Sequence, residues 1–284
     1  MAEILSGKPV SDMLLTGLKE KVFELAGAGR TPVLGIVRLG SRPDDLAYER
    51  SIERAAGTAG VEVRKFIYSP EITTVGLAEK IEELNADEKI SGVLIFRPLP
   101  SHIDESKICN TLSPAKDVDG ITDASSCLLY TGAGAGFAPC TAQACIEILK
   151  YYNIPIEGKS AAVIGRSLVI GKPVAQLLLN ENATVTVCHS KTENLAGVCR
   201  NKDIIIAAAG RAGMVGKGFF NPHQTVLDVA INFDSRGRMC GDADFEAAKA
   251  CTHAVTPVPG GVGSVTTAVL MKHVTEAAEK SCKH

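Results

Sequence analysis

The sequence predicts an α/β protein made of two α/β domains with mainly parallel sheets, the C-terminal one Rossmann-like. Three observations predict it. Apolar, strand-like runs alternate with helical patterns in both halves of the chain. One such run, AAVIGRSLVIGKP at residues 161–173, passes from a strand through a glycine turn into a helix start. A glycine-rich irregular stretch, TGAGAGFAPCT at residues 131–141, separates the halves and marks the domain change. Strands at this rhythm with helical crossovers imply parallel pairing and right-handed connections.

The elements follow in order. VSDMLLTGLKEKVFELAG, from Val10, carries apolar residues at helical spacing, and PVLGIVRL at 32–39 is a buried-strand run. A polar helix is expected around 45–58, then VEVRKFIYS as a strand and TVGLAEKIEELNAD as a helix. SGVLIFRPLP at 91–100 is the next strand. After the helix TAQACIEILKYY, the second half offers strands at AAVIG, ATVTVC, DIIIAAAG (203–210), TVLDVAIN (225–232) and CTHAVTPV (251–258). The expected domains are 1–138, joined by a C-terminal helix over 264–284, and 139–263.

Composition narrows the function classes. With 284 residues, 45% hydrophobic and 22% charged, the chain is long enough to bury the cores of two domains. A net charge of −2 gives no electrostatic case for nucleic acid or an anionic membrane. No stretch approaches the ~20 apolar residues of a membrane span. The start, MAEILSGKPV, lacks the basic and apolar regions of a signal peptide. Nine cysteines are scattered without CxxC pairs or zinc-like histidine spacing. The expectations are reduced thiols, a cytoplasmic location and no metal.

The turn at 161–173 is the first chemical signal. A strand that feeds a turn and a helix N-terminus sets backbone N–H groups where they can face a phosphate. The glycines fall at Gly165 and Gly171, with Ser167 where the dinucleotide fingerprint has its second glycine, and Lys172 is followed by Pro173 rather than by the Ser or Thr of a Walker loop. Alone, the segment fits a phosphate turn or a plain strand–turn–helix joint. In a Rossmann-like unit the second strand ends beside the adenosine ribose, where a carboxylate selects NAD and cations or hydroxyls accept the 2′-phosphate of NADP. Here that strand ends in His189-Ser190-Lys191, and Arg166 after the turn glycine can offer a bidentate guanidinium. The residues therefore lean to NADP over NAD, with two solvated surface cations as the alternative.

KDVDG (116–120), PCT (139–141), GRSxxxGxP (165–173), TVTVCHSKT (184–192), DIIIAAAGRAGMV (203–215) and TPVPGGVG (256–263) occur in this order. Together they resemble the methylenetetrahydrofolate dehydrogenase/cyclohydrolase family, and the resemblance runs essentially end to end. It implies a folate-binding N-terminal domain, a C-terminal NAD(P) domain with a cleft between them, and commonly a homodimer. It implies roles for residues as well. Tyr48 is expected to lie against the folate, and Asp119 to accept hydrogen bonds from the pterin, although Asp-Gly is also a strong turn pair. Pro98, Leu99, Gly260 and Gly261 are expected to line the substrate. Gly165, Arg166, Ser167, Gly171, Pro173, His189, Ser190, Lys191, Ala209, Gly210 and Ile231 are expected to meet the cofactor. Cis peptides are expected before Pro100 and Pro259.

The departures from the family are selective. Bifunctional members carry YxxxK, whose lysine handles protons in the hydrolytic step; here Tyr48 is followed four residues later by Ile52. The glutamine of VQLPLP, which partners that lysine, is replaced by Phe96, and the GFHPxN that follows KDVDG is altered to Gly120-Ile121-Thr122-Asp123-Ala124-Ser125. The expectation is an NADP-dependent dehydrogenase with weak or absent cyclohydrolase activity. Two alternatives stand beside it: a bifunctional enzyme whose hydrolysis uses Arg97 or Arg54, and a folate- or nucleotide-binding protein without turnover.

Overall fold

The computed structural model describes residues 1–133 and 136–281. Two residues of the glycine-rich stretch and the last three of the expected C-terminal helix lie outside the described residues. In chain order the elements are β1 (Glu3–Ile4), α1 (Gly7–Gly27), β2 (Val33–Leu39), α2 (Pro43–Ala59), β3 (Glu62–Tyr68), α3 (Thr74–Ala86), β4 (Gly92–Ile95), α4 (Glu105–Thr111), α5 (Asp123–Thr131) and α6 (Cys140–Tyr151). They continue with β5 (Ser160–Ile164), α7 (Gly171–Asn180), β6 (Thr184–Cys188), α8 (Leu195–Arg200), β7 (Ile204–Ala207), β8 (Thr225–Asp228), β9 (Asn232–Phe233), β10 (Met239–Cys240), α9 (Phe245–Cys251), β11 (Ala254–Val255) and α10 (Gly263–Lys280).

The chain divides into two compact units. The first holds Asp12–Cys140 and the C-terminal residues from Thr267; the second holds Met1–Ser11 and Thr141–Thr266.

In the first unit three strands pair in parallel in the order β3-β2-β4. All seven residues of β2 are buried, which is why VLGIVRL is nearly continuous in apolar character rather than alternating. Val37 and Val93 from this sheet pack with Leu77 and Ile81 of α3 and Ile108 of α4. Each such fully buried aliphatic side chain contributes roughly 1.5–3 kcal/mol. Arg38 is the exception in β2: it is buried, and its Nε donates to Glu49 Oε2 at 3.0 Å. Helix α2 starts at Pro43, has Asp44 and Asp45 in its first turn, and stops at Gly60, whose φ of 84° is left-handed. Each of these favours a helix between those points.

The second unit is a six-stranded parallel sheet in the order β1-β11-β8-β7-β5-β6. Ile164, Ile205 and Val226 of its inner strands pack with Cys199 of α8 and Ala248 of α9. Three expectations need correction here. The N-terminal residues belong to this unit because Glu3 and Ile4 pair with Ala254 and Val255. The strand expected over 251–258 shrinks to two residues: α9 runs to Cys251, and the Thr256 hydroxyl accepts the Asp228 N–H at 2.8 Å before two prolines that lack donors. The strand expected over 225–232 ends at Asp228, and Asn232–Phe233 instead pairs antiparallel with Met239–Cys240.

The cis bonds precede Pro98 and Pro259. The second was expected; in RPLP the cis bond falls one proline earlier than the expected Pro100. Both prolines there are tertiary amides with a small trans preference, so the sequence alone does not separate them.

Candidate functional site

In the second unit, β5, β6, β7, β8 and β11 are parallel, so their carboxyl ends lie along one edge of the sheet. Strand order reverses direction between β5 and β7, and ligands of open α/β sheets bind outside the carboxyl ends at such a switch point. Gly165, His189, Ala209, Gly210, Ile231, Gly260 and Gly261 all follow these strand ends. The topology thus places at one edge five of the expected cofactor residues together with Gly260 and Gly261, which were expected to line the substrate.

Gly165 sits at the switch. Its φ is 132°, and a Cβ there would be driven into the carbonyl oxygen of Ala208, which follows β7. Only glycine lets the two strand ends approach this closely. The turn then differs from expectation in one respect. Ser167 Oγ accepts the N–H groups of Ile170 (3.1 Å) and Gly171 (3.3 Å), and its carbonyl accepts that of Lys172 (3.0 Å). Pro173 has no N–H. The first turn of α7 is therefore largely capped from within, and an anion must rely on the turn itself and on side chains. Arg166 is exposed, as are Ser190 and Lys191 beyond β6, and none of the three residues at that strand end, His189, Ser190 and Lys191, is a carboxylate. His189 is tied locally: its N–H donates to Thr192 Oγ1 at 2.9 Å, and its Nδ1 accepts from the Lys191 N–H at 3.2 Å. Ile231 is 61% exposed, an apolar side chain held in the open at the strand-end edge. This glycine cradle, with cations and hydroxyls at the second strand end, fits a dinucleotide.

The first unit gathers a separate set. Tyr48 lies in the second turn of α2, and its ring packs on Phe96, with centroids 5.6 Å apart. Phe96, Arg97, Pro98 and Leu99 follow β4, and the Leu99 N–H donates to Glu105 Oε2 at 3.0 Å. Ile52, one turn beyond Tyr48 on α2, is fully buried. Burial pushes the Asp119 carboxyl up to about 6, although the Arg97 charge and the thiol and amide of Cys140 favour its anion. Burial also raises the Tyr48 hydroxyl well above its ordinary value, and the Asp119 charge adds to this. Tyr48, Arg97, Asp119 and Cys140 therefore share one electrostatic environment.

Asp119 does not build the turn it sits in. Asp117, fully buried, accepts the N–H groups of Ile121 (2.9 Å) and Thr122 (2.8 Å) and the Ser125 hydroxyl (2.6 Å). Lys116 of the same motif donates to the carbonyls of Leu84 (2.8 Å) and Asp87 (2.7 Å). The structural hydrogen bonds of this turn are thus made by its neighbours, while the Asp119 carboxylate is met by the thiol and amide of Cys140. Sequence reasoning singled out Asp119 but missed Asp117 and Cys140. Their signal was present in KDVDG and PCT, as the first aspartate of one and the cysteine of the other. His273 of α10 also bears on this loop: its Nδ1 lies 2.9 Å from the Val118 carbonyl, and its ring stacks on Phe137 at 4.8 Å.

Residues 5–119 match the catalytic domain of tetrahydrofolate dehydrogenase/cyclohydrolase, and residues 139–282 match the NAD(P)-binding domain of the same family. The chain is 50% identical over 281 residues to the bifunctional protein FolD of Carboxydothermus hydrogenoformans, covering 98% of each. Among solved structures it resembles the bifunctional FolD dehydrogenase/cyclohydrolase of Campylobacter jejuni, with TM-score 0.95 and 36% identity over 99% of this chain and 100% of that one. It also resembles the Trypanosoma brucei FolD enzyme complexed with NADP cofactor and inhibitor, with TM-score 0.92 and 33% identity over 100% and 99% of the two chains. No helix among the described residues is long and apolar enough to cross a membrane.

Proposed function

The chain belongs to the tetrahydrofolate dehydrogenase/cyclohydrolase family, and on that premise we propose that it oxidises 5,10-methylenetetrahydrofolate to the 5,10-methenyl cation with NADP while hydrolysing that cation weakly or not at all. The observation that carries the second half is the apolar contact of Phe96 with Tyr48, together with the full burial of Ile52 one turn farther along α2. The two positions that handle protons in bifunctional relatives are filled here by side chains that neither ionise nor donate.

The oxidation survives this change because it needs no proton transfer. NADP supplies the nicotinamide that accepts hydride, and a nitrogen lone pair of the folate helps expel it. The chain's part is placement in a shaped environment. Tyr48 offers a ring face to the folate, and Asp119, mostly ionised at neutral pH, accepts hydrogen bonds from the pterin. Pro98, Leu99, Gly260 and Gly261 are assigned to the substrate, as the family likeness implies. On the cofactor side Gly165, Ser167, Gly171 and Pro173 shape the turn, Arg166, Ser190 and Lys191 receive the 2′-phosphate, and His189, Ala209, Gly210 and Ile231 flank the nucleotide. The enzyme works in the cytoplasm as a homodimer on this reading, as the family likeness implies.

Hydrolysis through Arg97 or Arg54 is the second reading. A guanidinium is a permanent cation and shuttles protons poorly. One assay separates the readings. With methylenetetrahydrofolate and NADP, NADPH and methenyl product should rise in step, with little 10-formyl product. No NADPH would leave a binding protein without turnover.

A further inference from the structure

We propose that Asp242 is a positioning residue for the cofactor: its carboxylate, buried behind the loop that follows β7, fixes the conformation in which that loop meets the dinucleotide. The inference rests on the NADP reading above and concerns a residue outside the motifs that carried it.

Asp242 lies between β10 and α9 and is fully buried. Its Oδ2 accepts the N–H groups of Ala209 (2.5 Å) and Gly210 (3.0 Å), and its Oδ1 accepts that of Arg211 (2.6 Å). Three successive amides thus converge on one carboxylate, the arrangement of a backbone anion nest. The Asn232 side-chain amide supplies a fourth donor at 3.0 Å. The backbone of Asp242 is itself pinned. Its N–H donates to Asp228 Oδ1 at 3.0 Å, the next N–H, of Ala243, donates to Asp228 Oδ2 at 2.7 Å, and its carbonyl accepts the Val215 N–H at 2.9 Å. A chain of contacts therefore runs from the end of β8 through Asp228 and Asp242 to the loop at 209–211.

On its other side this loop meets the phosphate turn, because Ala208 presents its carbonyl to Gly165. The loop is held between the two. Without Asp242 three amides lose their common acceptor, and unmade buried hydrogen bonds are costly enough that the loop would rearrange to find others. Rearrangement at Ala209 and Gly210 shifts the surface offered to the nucleotide without touching Tyr48 or Asp119. Asp242 is fully buried and acts through the loop that covers it, so its effect is expected in cofactor affinity rather than in the chemical step.

The test uses the full-length chain, with NADPH and NADH binding followed by nicotinamide fluorescence and KM measured separately for cofactor and folate. Asp242→Asn keeps the volume but replaces one acceptor oxygen with an amide NH₂ that faces donors; it should weaken binding of the preferred cofactor about tenfold or more, with the folate KM at saturating cofactor little changed. Asp242→Glu should recover part of the loss. Asn232→Ala leaves the carboxylate and its three backbone donors, and should weaken binding by roughly threefold. A folded Asp242→Asn chain with unchanged cofactor affinity and only a lower Tm would make the residue purely structural and overturn the proposal. If Asp242→Asn does not fold, Asn232→Ala decides, and unchanged affinity there overturns it. Failure of the unmodified chain to bind either cofactor would instead remove the NADP reading, and this proposal with it.

Discussion

Phe96 lies against Tyr48, with ring centroids 5.6 Å apart and planes inclined at 39°. On the proposed reading, Tyr48 carries the folate and Phe96 takes the place of the amide that the family resemblance implies for bifunctional members. The contact would then make that corner an apolar wall.

The first prediction follows from that wall. Positioned acid–base groups contribute roughly 10²–10⁴-fold to steps of this kind. The unmodified chain should therefore hydrolyse added methenyltetrahydrofolate at close to the buffer rate, as read from 10-formyl product. Ile52→Lys combined with Phe96→Gln should raise hydrolysis measurably. Because Ile52 is fully buried, the introduced lysine should also lower Tm. Robust hydrolysis by the unmodified chain would show that a base elsewhere does the work.

Arg166 is exposed beside the cradle glycine, and Ser190 and Lys191 are exposed beyond β6. A charge-assisted contact to the 2′-phosphate is worth roughly 1.5–3 kcal/mol, about one to two powers of ten in affinity. The kcat/KM should be higher with NADP than with NAD, and Arg166→Ala should narrow the gap by about tenfold, mainly through KM. Equal efficiency with NAD in the unmodified enzyme would contradict the assignment.

Asp119 ties activity and stability to pH with opposite signs. Burial raises its carboxyl to about 6, above the ~3.9 of an unfolded aspartate, so between these values the folded chain binds more protons than the unfolded one. Its contribution to stability is full below about pH 4 and is lost as pH rises through about 6. If Asp119 accepts hydrogen bonds from the pterin as its anion, as proposed, kcat/KM should rise through the same interval and level off above it. Asp119→Asn should flatten the rise in kcat/KM and remove part of the stability slope in urea melts taken from pH 4.5 to 7. Asp228, also raised to about 6 chiefly by burial, will leave a residual slope in that variant.

The ion network under α2 is the fourth case. Arg38 Nε and Lys65 Nζ each lie 3.0 Å from the Glu49 carboxylate, and Arg38 and Glu49 are both buried. Removing one member of a buried pair leaves an uncompensated charge and typically costs about 3–5 kcal/mol. Glu49→Gln should lose stability on that scale in chemical denaturation. Arg38→Met with Glu49→Leu should lose much less, because both charges leave together. Equal losses in the two variants would argue against strong coupling.

Much of this molecule is local. The run VLGIVRL is nearly continuously apolar because it is buried on both faces, and AAVIGRSLVIGKP writes a strand, a glycine turn and a helix within thirteen residues. Backbone propensity and hydrophobic patterning act over such spans, so these elements were legible in order, as was the glycine that the turn after β5 requires at Gly165.

What remained depends on partners far away in the chain. Glu3–Ile4 is a strand only because Ala254–Val255 offers it an edge, and no local pattern in two residues announces that. Which proline of RPLP follows a cis bond, and which aspartate of KDVDG builds the turn, were likewise decided by packing. Asp242 is the clearest instance: in sequence it is one acidic residue in CGDADF, and only the fold brings the amides of residues 209–211 to its carboxylate. The sequence by itself determined the α/β class, the family and the residue types at each strand end. The tertiary structure decided which of those residues hold the loops, because a buried hydrogen-bond acceptor is defined by the donors that the fold places around it.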